Sequence, residues 1–358
     1  MVGGGQLARM THQAAVDLDV ELLVLATTPD EPAVLAGAPY RLGSHTDPDA
    51  LAALAEEAPV VTFDHELVPN PLLRSLEAAG HVLRPGAAAL AYAQDKLHAR
   101  SAMAAAGLPV PAFAEVASGA EVAEFAEEHG WPVVCKARSG GYDGRGVVVA
   151  GGPADLPDLS AGWLVEEHVE LRGELAVLVA RRPSGGSVTY PVVATTQVDG
   201  ICTQLVGPVE HPDATALAAR VVERIGAVGI CAVELFVGDG GRLLVNEVAL
   251  RPHNSGHATI EGNRTSQFHN HLRAVLDWPL GPTDAVAASA MVNLIAPDAL
   301  TDPADRLPEA LAVPGAQVHL YAKPPRPGRK VGHVTALGAT VDEALATASE
   351  AADILLMR

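Results

Sequence analysis

The sequence predicts an α/β and α+β protein in three parts, and three observations carry that prediction. Short apolar runs alternate with helical patterns over the first part, the signature of an open parallel sheet. A glycine-dense segment and a strand–turn–strand pair then mark a second part richer in antiparallel strands. The Pro-containing stretch Trp278 to Pro282 breaks the pattern before a last apolar strand and an Ala-rich helix. The expected boundaries are residues 1–91, 92–280 and 281–358.

In the first part, Val-Gly-Gly-Gly-Gln-Leu-Ala-Arg-Met reads as a strand stub, a glycine turn and a helix start. Val20 to Leu25 and Val60 to Phe63 are apolar runs suited to parallel strands, with Asp64, His65 and Glu66 just past the second. Asp49 to Glu57 and Asn70 to Ala79 have helical spacing. Ligands of such sheets sit beyond the carboxyl ends of the strands. The glycine turn lacks the full G-x-G-x-x-G pattern, so it is a weak dinucleotide signal.

Asp95 to Ala106 predicts a helix stopped by Gly107, with Pro109 and Pro111 beyond. Strands are expected at Pro132 to Lys136, Val147 to Ala150, Trp163 to Val169, Glu174 to Ala180 and Pro191 to Thr196. Thr215 to Ile225 and Ser266 to Leu276 read as helices. Ile230 to Val237 and Leu243 to Leu250 flank Gly238-Asp-Gly-Gly241, a hairpin signal. After Pro282 come an apolar strand from Ala290 to Ile295, a Pro-rich loop, a basic run and the final helix.

Composition narrows the function classes. A net charge of −19 argues against nucleic acid and anionic membrane partners. Cys135, Cys202 and Cys231 show no paired spacing, which favours a reducing cytosol over a disulfide framework or structural zinc. The start has no signal-peptide pattern, and no stretch approaches 18 uninterrupted apolar residues. Against the acidic background, Tyr321 to His333 carries Lys323, Arg326, Arg329 and Lys330 with no acid, a local anion site. Lysine is otherwise almost absent: Lys96, Lys136, Lys323 and Lys330 are the only four in 358 residues. A site that needs a compact ammonium reaching a phosphate does not readily accept a planar guanidinium, so these four read as anion-handling positions.

Three further groups carry chemistry. Gly140-Gly-Tyr-Asp-Gly-Arg-Gly146 between two strands supplies backbone N–H groups that can close on phosphate oxygens, and Lys136 lies just before it. No Gly-Lys-Ser/Thr follows, so it is not a P-loop. Glu234 and Glu247 lie on opposite arms of the hairpin. With Asp239 and Gly240 as the turn centre, residue 234 faces 245 and 232 faces 247. The glutamates then become diagonal neighbours on one face, roughly 7 Å apart at the backbone. An odd-numbered loop would separate them. Two converging carboxylates call for a cation, and magnesium bridging nucleotide phosphates is the usual solution. Finally Arg251, His253, Asn254, Ser255 and His257 crowd behind Glu247, a set suited to a small planar anion. His253 and His257 have a zinc-like spacing, but Ser255-Gly256 between them breaks a helix.

Together these features resemble the ATP-grasp superfamily, and within it the bicarbonate-using ligases of purine biosynthesis. The resemblance covers nearly the whole chain. It rests on Gly3-Gly-Gly-Gln-Leu-Ala-Arg-Met10, the glycine run, Asn246-Glu247, Arg251 with His253-Asn-Ser-Gly-His257, Ser266-Gln-Phe268 and Arg326-Pro-Gly-Arg-Lys-Val-Gly-His333. It implies an ATP-grasp fold (lid subdomain at about 109–165) behind an N-terminal open parallel-sheet pre-ATP-grasp domain, with a small C-terminal domain. It implies Mg²⁺, with ATP, bicarbonate and 5-aminoimidazole ribonucleotide as substrates, and a cytoplasmic homodimer.

Residue by residue, the resemblance places Lys96 and Lys136 on the ATP phosphates under the lid Gly141, Tyr142, Asp143, Gly144, Arg145, Gly146 and Val147. Glu166, Glu167, His168 and Val169 become the adenine hinge, Glu174 a ribose contact, and Gln197 and Asn246 further nucleotide contacts. Glu234 and Glu247 hold magnesium. Arg251, His253, Asn254 and Ser255 take bicarbonate and the carboxyphosphate made from it. Tyr142, Asp143, Lys323, Arg329 and Lys330 hold the ribonucleotide, with Gln6 and Glu66 from the first domain, Asp143 also being catalytic. Lys330 is the expected principal contact of the 5′-phosphate.

Four positions depart from the family pattern: Ala8 for glycine, Asp64 where glutamate is commoner, Ala249 where many ATP-grasp enzymes have asparagine, and Pro252 after rather than before the arginine. The rival readings are another carboxylate- or formate-activating ligase, a dinucleotide oxidoreductase built on the first glycine turn, and an inactive regulatory protein.

Overall fold

The structure, a computed structural model, describes residues 1–140, 146–160, 162–298 and 302–357. The first segment contains α1 (Gln6–Asp17), β1 (Val24–Ala26), α2 (Pro32–Leu35), β2 (Tyr40–Leu42), α3 (Pro48–Glu57), α4 (Asn70–Ala78) and α5 (Ala87–Gln94). The parallel array is there, but only β1 and β2 form a ladder. The rest is single parallel bridges, Val2 to Leu25 and to Phe63, and Val61 to Leu83. The expected strand at Val20 starts later because Val20 N–H donates back to Ala15 O, closing the end of α1. α1 packs its apolar stripe on a later helix through Leu7, Met10, Phe268 and Leu272.

Next come α6 (Lys96–Ala105), β3 (Phe113–Val116), α7 (Gly119–His129), β4 (Val133–Ala137), β5 (Val147–Ala150) and β6 (Trp163–Glu167). The Asp95 carboxylate caps α6, accepting from Leu97 and His98 N–H groups. β3, β6, β4 and β5 form a four-stranded antiparallel sheet in that order, closed by α7 over Val122, Phe125 and Val165. The turn between β4 and β5 includes Gly141, Tyr142, Asp143, Gly144 and Arg145, which lie outside the described residues. Its two edges are in place, since Ala137 N–H donates to Gly146 O.

The remainder is β7 (Gly173–Arg181), β8 (Ser187–Thr189), β9 (Val192–Val198), β10 (Ile201–Val209), α8 (Pro212–Ile225), β11 (Gly229–Val237), β12 (Leu243–Ala249), α9 (Thr259–Gly262), α10 (Gln267–Val275), β13 (Ala288–Ile295), α11 (Leu307–Leu311), β14 (Ala316–Leu320), β15 (Lys330–Gly338) and α12 (Val341–Leu356). Among the described residues these strands make one nine-stranded sheet, ordered β12-β11-β7-β9-β10-β13-β15-β14 with β8 on β7. The strands after Pro282 therefore do not build a sheet of their own: β13 pairs directly with β10 and extends the central one. α12 covers that extension through Ala348, Ala351, Ala352 and Leu355.

Candidate active site

Between the four-stranded sheet and the large one lies a cleft of about 1120 Å³, larger than the usual ~300–1,000 Å³ of a single small-molecule pocket. Its wall includes Lys96, Lys136, Glu166, Glu167, His168, Val169, Glu174, Gln197, Glu234, Asn246, Glu247, Arg251, His253, Asn254, Ser255, Glu66 and Lys330, together with Val147. Gln6, Lys323 and Arg329 are not in that wall. Lys323 donates instead to the Gln6 side chain, tying α1 to the segment after β14, and Arg329 donates to the Pro324 carbonyl.

The hairpin register corrects the expected diagonal pairing. Val237 faces Leu243, an odd-numbered loop that by itself would have set Glu234 opposite Asn246. A bulge at Asn246 absorbs the mismatch, and Glu234 pairs directly with Glu247. The carboxylates thus oppose each other in the same cleft. Burial, then Glu247 and Glu174, push the Glu234 carboxyl up to about 8 against the pull of Lys330 and Arg251. Paired hard oxygen donors under such strain fit a divalent cation such as Mg²⁺ shared with phosphate oxygens. The zinc spacing carries no such site. His257 is a neutral core residue, held near 3 by burial and stacked on Phe268 and His333 at 6.0 and 4.7 Å. No cluster of three or more metal-ligating residues exists among the described residues.

One end of the cleft gathers Lys96 and Lys136. Lys96 Nζ is 3.8 Å from Glu247 Oε1, and Lys136 Nζ is 2.6 Å from Glu166 Oε2 and 3.3 Å from Asn246 Oδ1. Burial lowers the Lys136 ammonium, with Glu166 opposing. Burial alone would raise Glu166, but Arg100 and Lys136 together hold it below its ordinary range. The Glu166 carboxylate is therefore committed to two cations, Arg100 and Lys136. Glu167 is committed as well: its carboxylate accepts from Ala112 N–H and from Arg242, and its own N–H donates to Ala112 O. His168 and Val169, which follow β6, line the cleft beside it. Asn246 Oδ1 likewise accepts from Lys136.

The other end holds the planar-anion set. The Glu66 carboxylate, in the cleft wall, accepts from Leu250 N–H at 3.0 Å and from Arg251 Nε at 2.7 Å. It aims the guanidinium. The Ser255 N–H donates to His253 Nδ1, which puts the ring proton on Nε2, 3.6 Å from Glu234 Oε1. Burial, Arg251 and Lys330 keep that imidazole neutral. Asn254 buries its amide in the wall beside Cys202, and neither its Nδ2 nor its Oδ1 has a conventional partner among the described residues. Lys330, at the start of β15, faces Glu234 and His253 electrostatically. Lys330 lines the same cleft as Glu234 and His253.

The first glycine turn is no phosphate cradle. Gly4 N–H donates to Glu31 at 2.8 Å, while Gly5 and Ala8 N–H groups donate to Asp64 at 2.6 and 3.1 Å. Two carboxylates already fill the place a dinucleotide's pyrophosphate would take.

The cleft thus lies between the four-stranded sheet and the large one, within the part of the chain that belongs to the ATP-grasp class. Residues 101–268 match the ATP-grasp domain family, residues 1–94 the ribonucleotide synthetase preATP-grasp domain, and residues 289–347 the phosphoribosylaminoimidazole carboxylase C-terminal domain. N5-carboxyaminoimidazole ribonucleotide synthase of Mycobacterium tuberculosis is 50% identical over 360 residues, spanning 95% of this chain and 83% of the relative. That of Corynebacterium ammoniagenes is 40% identical over 380 residues, spanning 99% and 91%. The crystal structure of the Aspergillus clavatus synthase in complex with ADP and 5-aminoimidazole ribonucleotide superposes with a TM-score of 0.91 at 31% identity, covering 99% and 98% of the two chains. The chain belongs to the N5-carboxyaminoimidazole ribonucleotide synthase family.

Proposed function

We infer that this protein uses ATP and bicarbonate to carboxylate 5-aminoimidazole ribonucleotide on its exocyclic amine, releasing ADP and phosphate. The observation that carries the reading is the sharing of one cleft by two anion-handling ends, joined at Glu234 and Glu247. A kinase-like site would need only the first end.

Lys96 and Lys136 bind the ATP phosphates, His168 and Val169 border the adenine, and Glu174 and Gln197 face the sugar. Glu234 and Glu247 would hold Mg²⁺, which supplies charge neutralisation on the transferring phosphoryl group. Arg251, His253 and Asn254 hold bicarbonate in the orientation for attack. A bicarbonate oxygen bonds to the γ-phosphorus as the bond to the bridging oxygen of ADP breaks, giving carboxyphosphate. The amine nitrogen then bonds to the carboxyl carbon, directly or after loss of carbon dioxide, and the departing phosphate accepts the amine proton. His253, neutral with its proton on Nε2, donates a hydrogen bond to the developing anion rather than taking a proton. Lys330 offsets negative charge where the three reactants meet.

ADP release measured with aminoimidazole ribonucleotide, with and without bicarbonate, tests this. Release should require both and yield the N5-carboxylated product in equal amount. Release stimulated by formate or another carboxylate in place of bicarbonate would instead support the rival ligase.

A further inference from the structure

The phosphate lysine and the second glutamate come from different sheets, yet one side chain grips the frame of both. Arg100 lies on α6 one turn after Lys96 and is 4% exposed. Its Nε donates to Glu166 Oε1 at 2.6 Å, and an Nη donates to the Asn246 carbonyl at 2.6 Å. The other oxygen of Glu166 holds Lys136 at 2.6 Å. Asn246 is the extra residue of the β12 bulge. Such a residue is left unpaired by its ladder, so its carbonyl needs a partner from elsewhere.

The bulge decides which residue enters the cleft. Without it, the loop register would set Asn246 opposite Glu234 and turn Glu247 to the other face, since a one-residue slip flips every side chain. We propose that Arg100 is a positioning residue for phosphoryl transfer, locking Lys136 through Glu166 and Glu247 through the Asn246 bulge. A planar guanidinium serves two acceptors at a fixed angle, whereas a lysine at this position can serve the charge but not the angle. The inference rests on the reading of Glu234 and Glu247 as the metal carboxylates.

The test uses Arg100→Met and Arg100→Lys in the full chain, with adenylyl imidodiphosphate titrated calorimetrically with and without magnesium chloride. In the parent, magnesium should tighten binding. In both variants that gain should fall by about tenfold or more, and turnover by about a hundredfold, the cost of a misplacement near 1 Å. The Michaelis constant for aminoimidazole ribonucleotide should stay within about threefold, because its end of the cleft is untouched. Arg100→Lys should regain the parent's melting temperature without regaining the magnesium-dependent gain. A merely structural arginine would be rescued by lysine in both respects, and that result overturns the proposal. Should Arg100→Met fail to fold, Arg100→Lys decides alone. A parent with no magnesium-dependent gain would sink the metal reading and the proposal with it. A parent that gains while the variants gain equally would sink the proposal only.

Discussion

Glu247→Gln should lower bicarbonate-dependent ADP formation by about a thousandfold, and Glu234→Gln/Glu247→Gln by at least as much, with circular dichroism unchanged. The amide keeps the shape and removes the charge, and loss of one preorganised electrostatic partner of the transition state costs about 10²–10³ in rate. A near-parental rate in the double variant would refute the opposed-carboxylate site. The same substitutions have a predicted stability signature in metal-free protein. The carboxyl of Glu234 is pushed up to about 8, so the folded state holds its proton more tightly than the unfolded chain does. Stability is therefore lost as pH rises from the ordinary carboxylate range to about 8. Glu234→Gln removes that loss, and it should raise the melting temperature more at pH 8 than at pH 5. An equal rise at both values would show that the crowding at Glu234 is absent.

Replacing Arg251 should have the second largest effect and should act on a different substrate. Arg251→Ala alone strands the half-buried Glu66 carboxylate without its guanidinium partner, which destabilises the fold. Arg251→Ala/Glu66→Gln avoids that penalty. Its product formation should fall by about a thousandfold, since the planar-anion donor is gone. The dissociation constant for ATP, measured calorimetrically, should stay within about threefold. A large loss of ATP affinity would move Arg251 to the nucleotide end and overturn its assignment to bicarbonate.

α6 and the hairpin were legible because their signals are local, whereas α5 and α7 were not read, although Ser118 and Glu121 form a capping box at the start of α7. Asp95 before α6, Gly107 after it and the glycines between β11 and β12 act on their immediate neighbours. What else escaped depends on distant contacts. The register that brings Glu234 opposite Glu247 rests on a bulge whose carbonyl is satisfied by Arg100, 146 residues away. Helical spacing alone could have found Arg100, one turn after Lys96 on a helix read correctly. No such signal marked Glu66 as the residue that aims Arg251, or Asp64 as the carboxylate on the N–H groups of the first turn, 59 residues from Gly5. β10, β14 and β15 were missed because they are short of alternation or follow a Pro-rich run, and pairing with neighbours outweighs propensity in a sheet. That omission also hid the continuity of the central sheet past Pro282 and the place of Lys330 at the head of β15.

The claim that the cleft activates bicarbonate by phosphorylating it is tested most directly with ¹⁸O-labelled bicarbonate. During turnover with ATP and aminoimidazole ribonucleotide, mass spectrometry of the released inorganic phosphate should find one bicarbonate oxygen per ADP formed. Phosphate carrying only solvent oxygen, with ADP released at the normal rate, would mean that water and not bicarbonate attacks the γ-phosphorus, and the two-ended reading of the cleft would be wrong.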